Sequence, residues 1–99
     1  SGTVLALAAD KQEFVIGRED PISGIYPDVD LTPHGGEGGG VSRQHAKLYR
    51  NGDAWQIEDL NSTNSTRVNG TKIMPHAPAD LKPGDKVMIG RVALVFQTS

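Results

Sequence analysis

Turn-forming residues recur so often along this chain that long helices have no room to form. Six prolines and twelve glycines punctuate its 99 residues, and no window sustains the 3.6-residue apolar period of an amphipathic helix. Short segments between the turns alternate apolar and polar residues instead, as in residues 46–49 and 55–58. Many short strands with frequent turns predict an all-β fold, either a sandwich or a barrel.

Two Asn-Gly pairs and one Pro-Gly pair predict how some of these strands are connected. Asn51-Gly52 and Asn69-Gly70 each separate two strand-like segments. Both residue types tolerate the positive φ that a type I′ hairpin turn requires. Pro83-Gly84 suits a type II turn, because proline fixes the first central φ and glycine accepts the positive second one.

Strands are also expected towards the two ends of the chain. Residues 3–8 and 13–16 are short apolar segments separated by the turn-forming pair Asp10-Lys11, so they predict a first hairpin. Residues 86–89 and 92–96 predict the last one.

Residues 19–40 interrupt this regular pattern. They contain three prolines and the run Gly35-Gly36-Glu37-Gly38-Gly39-Gly40, and only residues 29–31 resemble a short strand. The glycines complete neither a Gly-x-Gly-x-x-Gly signature nor a Gly-Lys-Ser/Thr phosphate loop. A loop of this length in a small domain is more often functional than idle. We expect it to bring Ser42 to the same sheet edge as Arg18.

Composition limits the partners and the kinds of site. Ten basic and twelve acidic residues give a net charge of −2, which leaves no basic surplus for binding nucleic acid. The chain has no cysteine, which excludes disulfides and suits a reducing compartment such as the cytoplasm. Its longest uncharged apolar stretch, residues 4–9, is too short to span a membrane. The histidines lack a recognisable ligand spacing, so we expect no metal and no cofactor.

Three polar clusters lie beside apolar segments and are therefore expected on loops at strand ends. They are Gly17-Arg18, Ser42-Arg43-Gln44-His45 and residues 59–70. Together they supply guanidinium groups, hydroxyls and side-chain amides, which are the donors that surround a bound phosphate. No clear nucleophile–base pair accompanies them, so we expect binding rather than catalysis.

Two other interpretations of these clusters carry less weight. A Ser42–His45 catalytic pair oriented by Asp59 would make the chain a hydrolase. Ser42, however, lacks a Gly-x-Ser-x-Gly elbow, and a three-residue offset on one extended segment favours opposite faces. Three Asn-x-Ser/Thr sequons between residues 61 and 71 arise easily in a sequence rich in these residues, and glycosylation would require a secreted context.

The three clusters closely resemble the signature of the forkhead-associated (FHA) domain. That family's pattern is Gly-Arg, then about two dozen residues, then Ser-Arg-x-His, then Gly-Ser-Thr-Asn-Gly-Thr-x-x-Asn-Gly, and here the blocks appear in the same order. The similarity extends over nearly the whole chain. We therefore expect residues 1–99 to be a single FHA-like domain with its core at about 4–96, a module of a larger protein. The resemblance implies a sandwich of two antiparallel sheets with about eleven short strands, whose loops at one end bind phosphothreonine peptides.

The resemblance also implies roles for individual residues. Arg18, Ser42 and Thr63 would contact the phosphate, and Arg43 would contribute its backbone amide, its side chain or both. Asn64 would hydrogen-bond the peptide main chain beside the phosphothreonine. The residues expected to shape the loops rather than touch the ligand are Gly17, His45, Asn69 and Gly70.

Two positions depart from the family pattern. Asn61 and Ser65 stand where the family usually has glycine. Both positions are therefore predicted to need a positive φ, which asparagine tolerates better than serine. Ser65 lies beside the loop residues expected to contact the peptide, so its backbone could change peptide selectivity.

The sequence as a whole predicts a phosphothreonine-dependent module that binds a protein partner in signalling and catalyses no reaction. The alternative is a phosphate-independent protein-interaction module with the same fold. Neither nucleic acid nor a membrane is an expected partner.

Overall fold

Nine strands and one 3-10 turn make up the regular structure of residues 11–97, the part of the chain that the computed structural model describes. The strands are β1 (Glu13–Gly17), β2 (Val29–Asp30), β3 (Ala46–Asn51), β4 (Ala54–Asp59), β5 (Thr66–Val68), β6 (Thr71–Lys72), β7 (Ala79–Leu81), β8 (Lys86–Ile89) and β9 (Val92–Val95). The strand predicted at residues 3–8 lies outside the described residues. Within residues 11–97 no helix is long and apolar enough to cross a membrane.

The strands form two sheets, which confirms the predicted all-β sandwich. One sheet has five strands in the order β2-β1-β3-β4-β7, and the other has four in the order β6-β5-β8-β9. The resemblance implied about eleven strands, against nine in the described residues. All neighbouring strands are antiparallel except β1 and β2, which are parallel. β1 and β2 can be parallel because the chain between them runs back along the sheet, so that both strands begin at the same end.

Alternating side chains build the core between the sheets. In β4, Trp55 and Ile57 are buried while Gln56 between them is exposed, as the period of two predicts. The Trp55 ring stacks on Phe14 with centroids 5.8 Å apart and meets Phe96 edge-on at 5.2 Å. These aromatic contacts join β1, β4 and the residue that follows β9 in one apolar cluster.

Two of the three predicted turns are confirmed. Asn69 and Gly70 have φ of 49° and 86°, as a type I′ turn requires. Gly84 has φ of 91°, and the Asp85 N–H donates to the Lys82 carbonyl at 3.0 Å, which closes the predicted type II turn.

The turn predicted at Asn51-Gly52 is wrong by one residue. Asn51 pairs with Ala54, so the two central residues are Gly52 and Asp53. Gly52 has φ of 65°, whereas neither Asn51 nor Asp53 has a positive φ. One positive φ at the first central position fits a type II′ turn, which needs glycine there and accepts most residues next.

The long segment between β1 and β3 is ordered by its own hydrogen bonds. Asp20 and Ile25 exchange two backbone hydrogen bonds of 2.9 Å, and β2 and the 3-10 turn Thr32–His34 follow. Leu31 and Val41 are buried, so both ends of the glycine-rich part are anchored in the core. The segment thereby brings the chain back to the end of β1, where Val41 and Arg43 accept hydrogen bonds from Arg18.

Candidate binding site

Three loops meet at the end of the sandwich where β1 and β4 finish and β3 and β5 begin. The Arg18 N–H donates to the Arg43 carbonyl at 3.2 Å, and the Thr63 N–H donates to Ser42 Oγ at 3.3 Å. The Leu60 N–H donates to the His45 carbonyl at 3.0 Å. These contacts bring together the three polar clusters that are separate in the sequence.

Gly17 allows the closest of these approaches. A Cβ atom at position 17 would lie 1.9 Å from the Arg43 carbonyl oxygen and 2.6 Å from its carbon. Those neighbours are backbone atoms that cannot turn aside, so any side chain would push the two segments apart. Glycine at this position therefore sets the distance between Arg18 and residues 42–43.

The Arg18 side chain is half-buried and oriented by the chain around it. Its Nε–H donates to the Val41 carbonyl at 2.8 Å. A Cβ atom on Gly36 would lie 3.3 Å from Arg18 Cγ, so the glycine-rich segment lies close against the side-chain stem. The two terminal amino groups of Arg18 have no hydrogen-bond partner within residues 11–97. The guanidinium thus keeps a pair of free donors for an anion.

Ser42 and Thr63 bring two hydroxyls to the same loops: Ser42 follows Val41, whose carbonyl accepts the Arg18 Nε–H, and the Thr63 N–H is bonded to Ser42. Ser42 Oγ accepts the Thr63 N–H, which leaves its own hydroxyl hydrogen free to donate. Thr63 is exposed, as expected for a side chain that meets a ligand in solution.

Arg43 differs from Arg18 because it already has a carboxylate partner. Its Nη1 lies 2.7 Å from Asp20 Oδ2, and its side chain is exposed. The Arg43 guanidinium, with a smaller contribution from Ser23, lowers the pKa of Asp20 below its ordinary value. Asp20 was not predicted as a site residue, because its contact with Arg43 joins residues 23 positions apart in the sequence.

Asn64 contacts the glycine-rich segment. Its Nδ2 donates to the Gly40 carbonyl at 2.8 Å, which leaves the side-chain oxygen free. A Cβ atom on Gly40 would lie 2.4 Å from Asn64 Nδ2 and 3.6 Å from Arg91 Nη2, so these two side chains meet over Gly40. Arg91 donates to the Gly38 carbonyl at 3.0 Å and is a third cation at this end of the sandwich that the sequence analysis missed.

His45 lies beneath the site, fully buried, and connects two of its loops. The Ser42 N–H donates to His45 Nδ1 at 3.0 Å, so the ring proton is on Nε2, which donates to the Ser65 carbonyl at 2.8 Å. Burial lowers the pKa of His45, and this outweighs the opposite effects of the Ser65 carbonyl and Asp59. Both ring nitrogens are thus occupied by backbone groups, and neither can activate the Ser42 hydroxyl as a hydrolase would need.

Asp59 organises the third loop from inside. It is 1% exposed and accepts hydrogen bonds from the Ser62 N–H at 3.0 Å and from the Thr66 hydroxyl at 2.7 Å. Burial raises the pKa of Asp59, but the hydrogen bonds from Ser62 and Thr66 outweigh it, so the pKa lies below its ordinary value. Its carboxylate therefore stays ionised and fixes the start of the loop that carries Thr63.

Asn69 and Gly70 lie away from these loops, at the far end of β5. The Asn69 side chain donates to Asp85 at 3.0 Å and accepts the Lys86 N–H at 2.9 Å. Their contacts therefore join the β5–β6 turn to the start of β8, at the opposite end of the strand from Ser65.

Asn61 and Ser65 have the positive φ that their positions predicted. The values are 60° for Asn61 and 70° for Ser65. The Ser65 carbonyl accepts the His45 Nε2–H at 2.8 Å and the Gly90 N–H at 3.1 Å. These two bonds hold a serine in the left-handed region, which costs an L-residue about 1–2 kcal/mol.

Comparison with known proteins identifies the family. Residues 14–90 match the family model of the FHA domain. The chain belongs to the FHA family. The oxoglutarate dehydrogenase inhibitor of Corynebacterium jeikeium is 36% identical over 83 residues, which cover 84% of this chain and 54% of that protein. This FHA chain thus spans about half the length of that relative.

Solved FHA domains share the fold. One, from an analysis of phosphothreonine-dependent FHA domain interactions, has a TM-score of 0.70 and 27% identity, covering 90% of this chain and 79% of that one. The FHA domain of FhaA, crystallised with the intracellular domain of Rv3910, has a TM-score of 0.68 and 26% identity, covering 89% and 82%. Membership of the FHA family confirms the predicted fold and a binding module rather than an enzyme.

We expect Ser65→Gly to stabilise the domain. Glycine removes the cost of the left-handed conformation but adds entropy to the unfolded chain, so the net gain is about 0.5–1 kcal/mol. Thermal unfolding should show a melting temperature about 2–8 °C higher. Ala93→Gly, on the exposed face of β9, is the control and should lower the melting temperature. A lower melting temperature for Ser65→Gly would contradict the strain assigned to this position.

We also expect stability to fall when the pH is lowered from 7.5 to 5.5. The pKa of His45 is lower in the folded chain than its ordinary value of 6.5, so the unfolded chain binds the proton more readily below pH 6.5. The free energy of unfolding, measured by urea titration, should decrease by at most about 1.4 kcal/mol per pH unit, the slope for one proton. Asp59, with its lowered pKa, loses its contribution only at more acidic pH, below about 4.

The remaining histidines provide the control for this measurement. A variant carrying both His34→Gln and His76→Gln leaves His45 as the sole histidine of the chain, and we expect it to retain the slope. If stability in this variant did not change between pH 7.5 and 5.5, a buried neutral His45 would be excluded.

Proposed function

We propose that this FHA domain binds phosphothreonine on a protein partner and acts in signalling without catalysing a reaction. The observation that carries the proposal is the Arg18 guanidinium. Its Nε–H is committed to the Val41 carbonyl, while its two terminal amino groups have no partner among the described residues. This arrangement orients a fork of donors whose planar geometry matches two oxygens of a phosphate.

The donors around Arg18 match the charge and the acceptors of a phosphate. Near pH 7 a phosphothreonine carries a charge of about −1.5 to −2 and three strong acceptor oxygens. Arg18 would donate hydrogen bonds to two of these oxygens. The Ser42 and Thr63 hydroxyls, held near each other by the hydrogen bond from the Thr63 N–H to Ser42 Oγ, would donate to the remaining lone pairs. Each bond to a charged group contributes about 1.5–3 kcal/mol, so Arg18 would dominate the affinity.

The other predicted residues would act around this centre. Arg43 would contribute its backbone amide, its side chain or both, and Asn64 would bind the peptide main chain through its free oxygen or by releasing the Gly40 carbonyl. Gly17 and His45 would keep the loops in place through their contacts with residues 42–43 and Ser65. Asn69 and Gly70 would stabilise β5 from its far end rather than shape the binding loops directly.

The relatives support the ligand and the compartment. One similar FHA domain takes part in phosphothreonine-dependent interactions, and another was crystallised with an intracellular domain. A cytoplasmic location also agrees with the absence of cysteine. We propose in addition that residues 1–99 form one domain that acts as a module of a longer protein, as the half-length match to its relative suggests.

The test is an oriented library of phosphothreonine peptides, followed by fluorescence anisotropy with the best binder and its unphosphorylated form. We expect the phosphorylated peptide alone to bind and Arg18→Ala to weaken binding by at least about 10–150-fold, the equivalent of 1.5–3 kcal/mol. Lys86→Ala, at the opposite end of β8 from the binding loops, should bind normally.

Two outcomes would count against this proposal. A library with no Arg18-dependent binder would exclude phosphothreonine recognition at this site. Partner binding that survives both dephosphorylation and Arg18→Ala would favour the phosphate-independent module instead.

A further inference from the structure

The ion pair between Asp20 and Arg43 lies at the rim of the candidate binding site. We propose that the Asp20 carboxylate competes with the phosphate of the ligand for the Arg43 guanidinium, and that Asp20 thereby lowers the affinity of the domain for phosphothreonine peptides. This inference rests on the proposed function, because it concerns the affinity of that same site.

The three arginines at this end of the sandwich differ in their partners. Arg18 donates to the Val41 carbonyl and Arg91 to the Gly38 carbonyl, which are neutral acceptors. Arg43 instead contacts a carboxylate, with 2.7 Å between its Nη1 and Asp20 Oδ2. A carboxylate oxygen at that distance occupies a donor of the same fork that a phosphate oxygen would use. The phosphate therefore meets one cation with free donors and one that is already neutralised.

The position of Asp20 is built into the fold. Its backbone N–H and carbonyl both bond to Ile25 at 2.9 Å, so the residue lies in a closed backbone ring rather than on a free loop. The neighbouring Glu19 N–H donates to Asp30 at 3.1 Å and to Thr32 at 3.2 Å, which anchors the same segment to β2. The pKa of Asp20 is lowered by its hydrogen bonds to Arg43 and Ser23, so the carboxylate is ionised at neutral pH. A fixed negative charge thus remains at the rim when the ligand arrives.

The backbone of residue 43 does not depend on this ion pair. The Arg43 carbonyl accepts the Arg18 N–H at 3.2 Å and packs directly against Gly17. His45, two residues later, is fixed by contacts with Ser42 and Ser65. Removing the Asp20 charge should therefore free the Arg43 side chain without moving the loop. Asp20 is therefore expected to affect binding by competing for the Arg43 side chain, and not by stabilising the loop.

The competition has a measurable consequence for Arg43. With Asp20 present, the Arg43 side chain contributes little to peptide binding, because its guanidinium has to give up the ion pair with Asp20 in order to bind the phosphate. Without the Asp20 charge, the guanidinium is available and the repulsion between carboxylate and phosphate disappears. We expect Asp20→Asn to bind the peptide about three- to fivefold more tightly, the size of one water-screened charge contact.

The test is a double-mutant cycle with the library-selected phosphothreonine peptide, measured by fluorescence anisotropy at about 50 mM salt so that screening stays weak. The four proteins are the wild type, Asp20→Asn, Arg43→Gln and the double variant. We expect Asp20→Asn to increase affinity, Arg43→Gln alone to reduce it by less than about threefold, and the double variant to lose most of the gain.

Asp53→Asn is the matched control, because it removes one negative charge from the β3–β4 turn at the opposite end of the sandwich. It should change the affinity by less than about twofold, since that charge lies more than a Debye length away. A similar gain in Asp53→Asn and Asp20→Asn would attribute the effect to net charge alone and overturn the proposal.

Two further results would also overturn it. Asp20→Asn could bind equally well or more weakly, which would make Asp20 neutral or supportive. The gain could also persist in the double variant, which would leave Arg43 uninvolved. Each of these outcomes leaves Arg18-dependent binding by the wild type intact. Loss of that binding would instead refute the proposed function.

Discussion

The close contact between Gly17 and the Arg43 carbonyl is the constraint on which the binding end depends. No side chain fits between the two segments, so the end of β1 and residues 42–43 can approach only with glycine at position 17. The approach places Arg18 beside Ser42, and His45 then links Ser42 to the third loop through Ser65. A single missing Cβ atom therefore positions side chains from three separate parts of the sequence.

Most charged groups at this end of the sandwich already have partners within the chain, so few are available to bind a ligand. Asp59 is ionised but bonded to Ser62 and Thr66, and His45 is neutral with both nitrogens occupied. Within the described residues, no buried side-chain nitrogen or oxygen lacks a hydrogen-bond partner. Within residues 11–97, both terminal amino groups of Arg18 are without a hydrogen-bond partner, and this pair of free donors is what supports the proposal that a phosphate binds there.

Local sequence chemistry predicted most of the strands, because alternation and turn residues act over a few positions. The Asn69-Gly70 and Pro83-Gly84 turns follow from such local rules, whereas the positive φ of Ser65 was predicted from the glycine that the family usually has at that position. The Gly52 turn was misplaced because Asn51 pairs with Ala54, and register depends on a whole strand pair. Asp20 and Arg91 were missed because their contacts, to Arg43 and Gly38, join residues 23 and 53 positions apart. Such contacts leave no signal in spacing along the chain.

An NMR titration with a phosphothreonine peptide and its unphosphorylated form would show directly whether the loops around Arg18 bind the phosphate. The amide signals of Arg18, Ser42, Arg43, Thr63 and Asn64 should shift with the phosphorylated peptide and stay in place with the other. Shifts concentrated instead at the exposed apolar residues Ile22 and Tyr26, or the same shifts with both peptides, would contradict a phosphate site organised around Arg18.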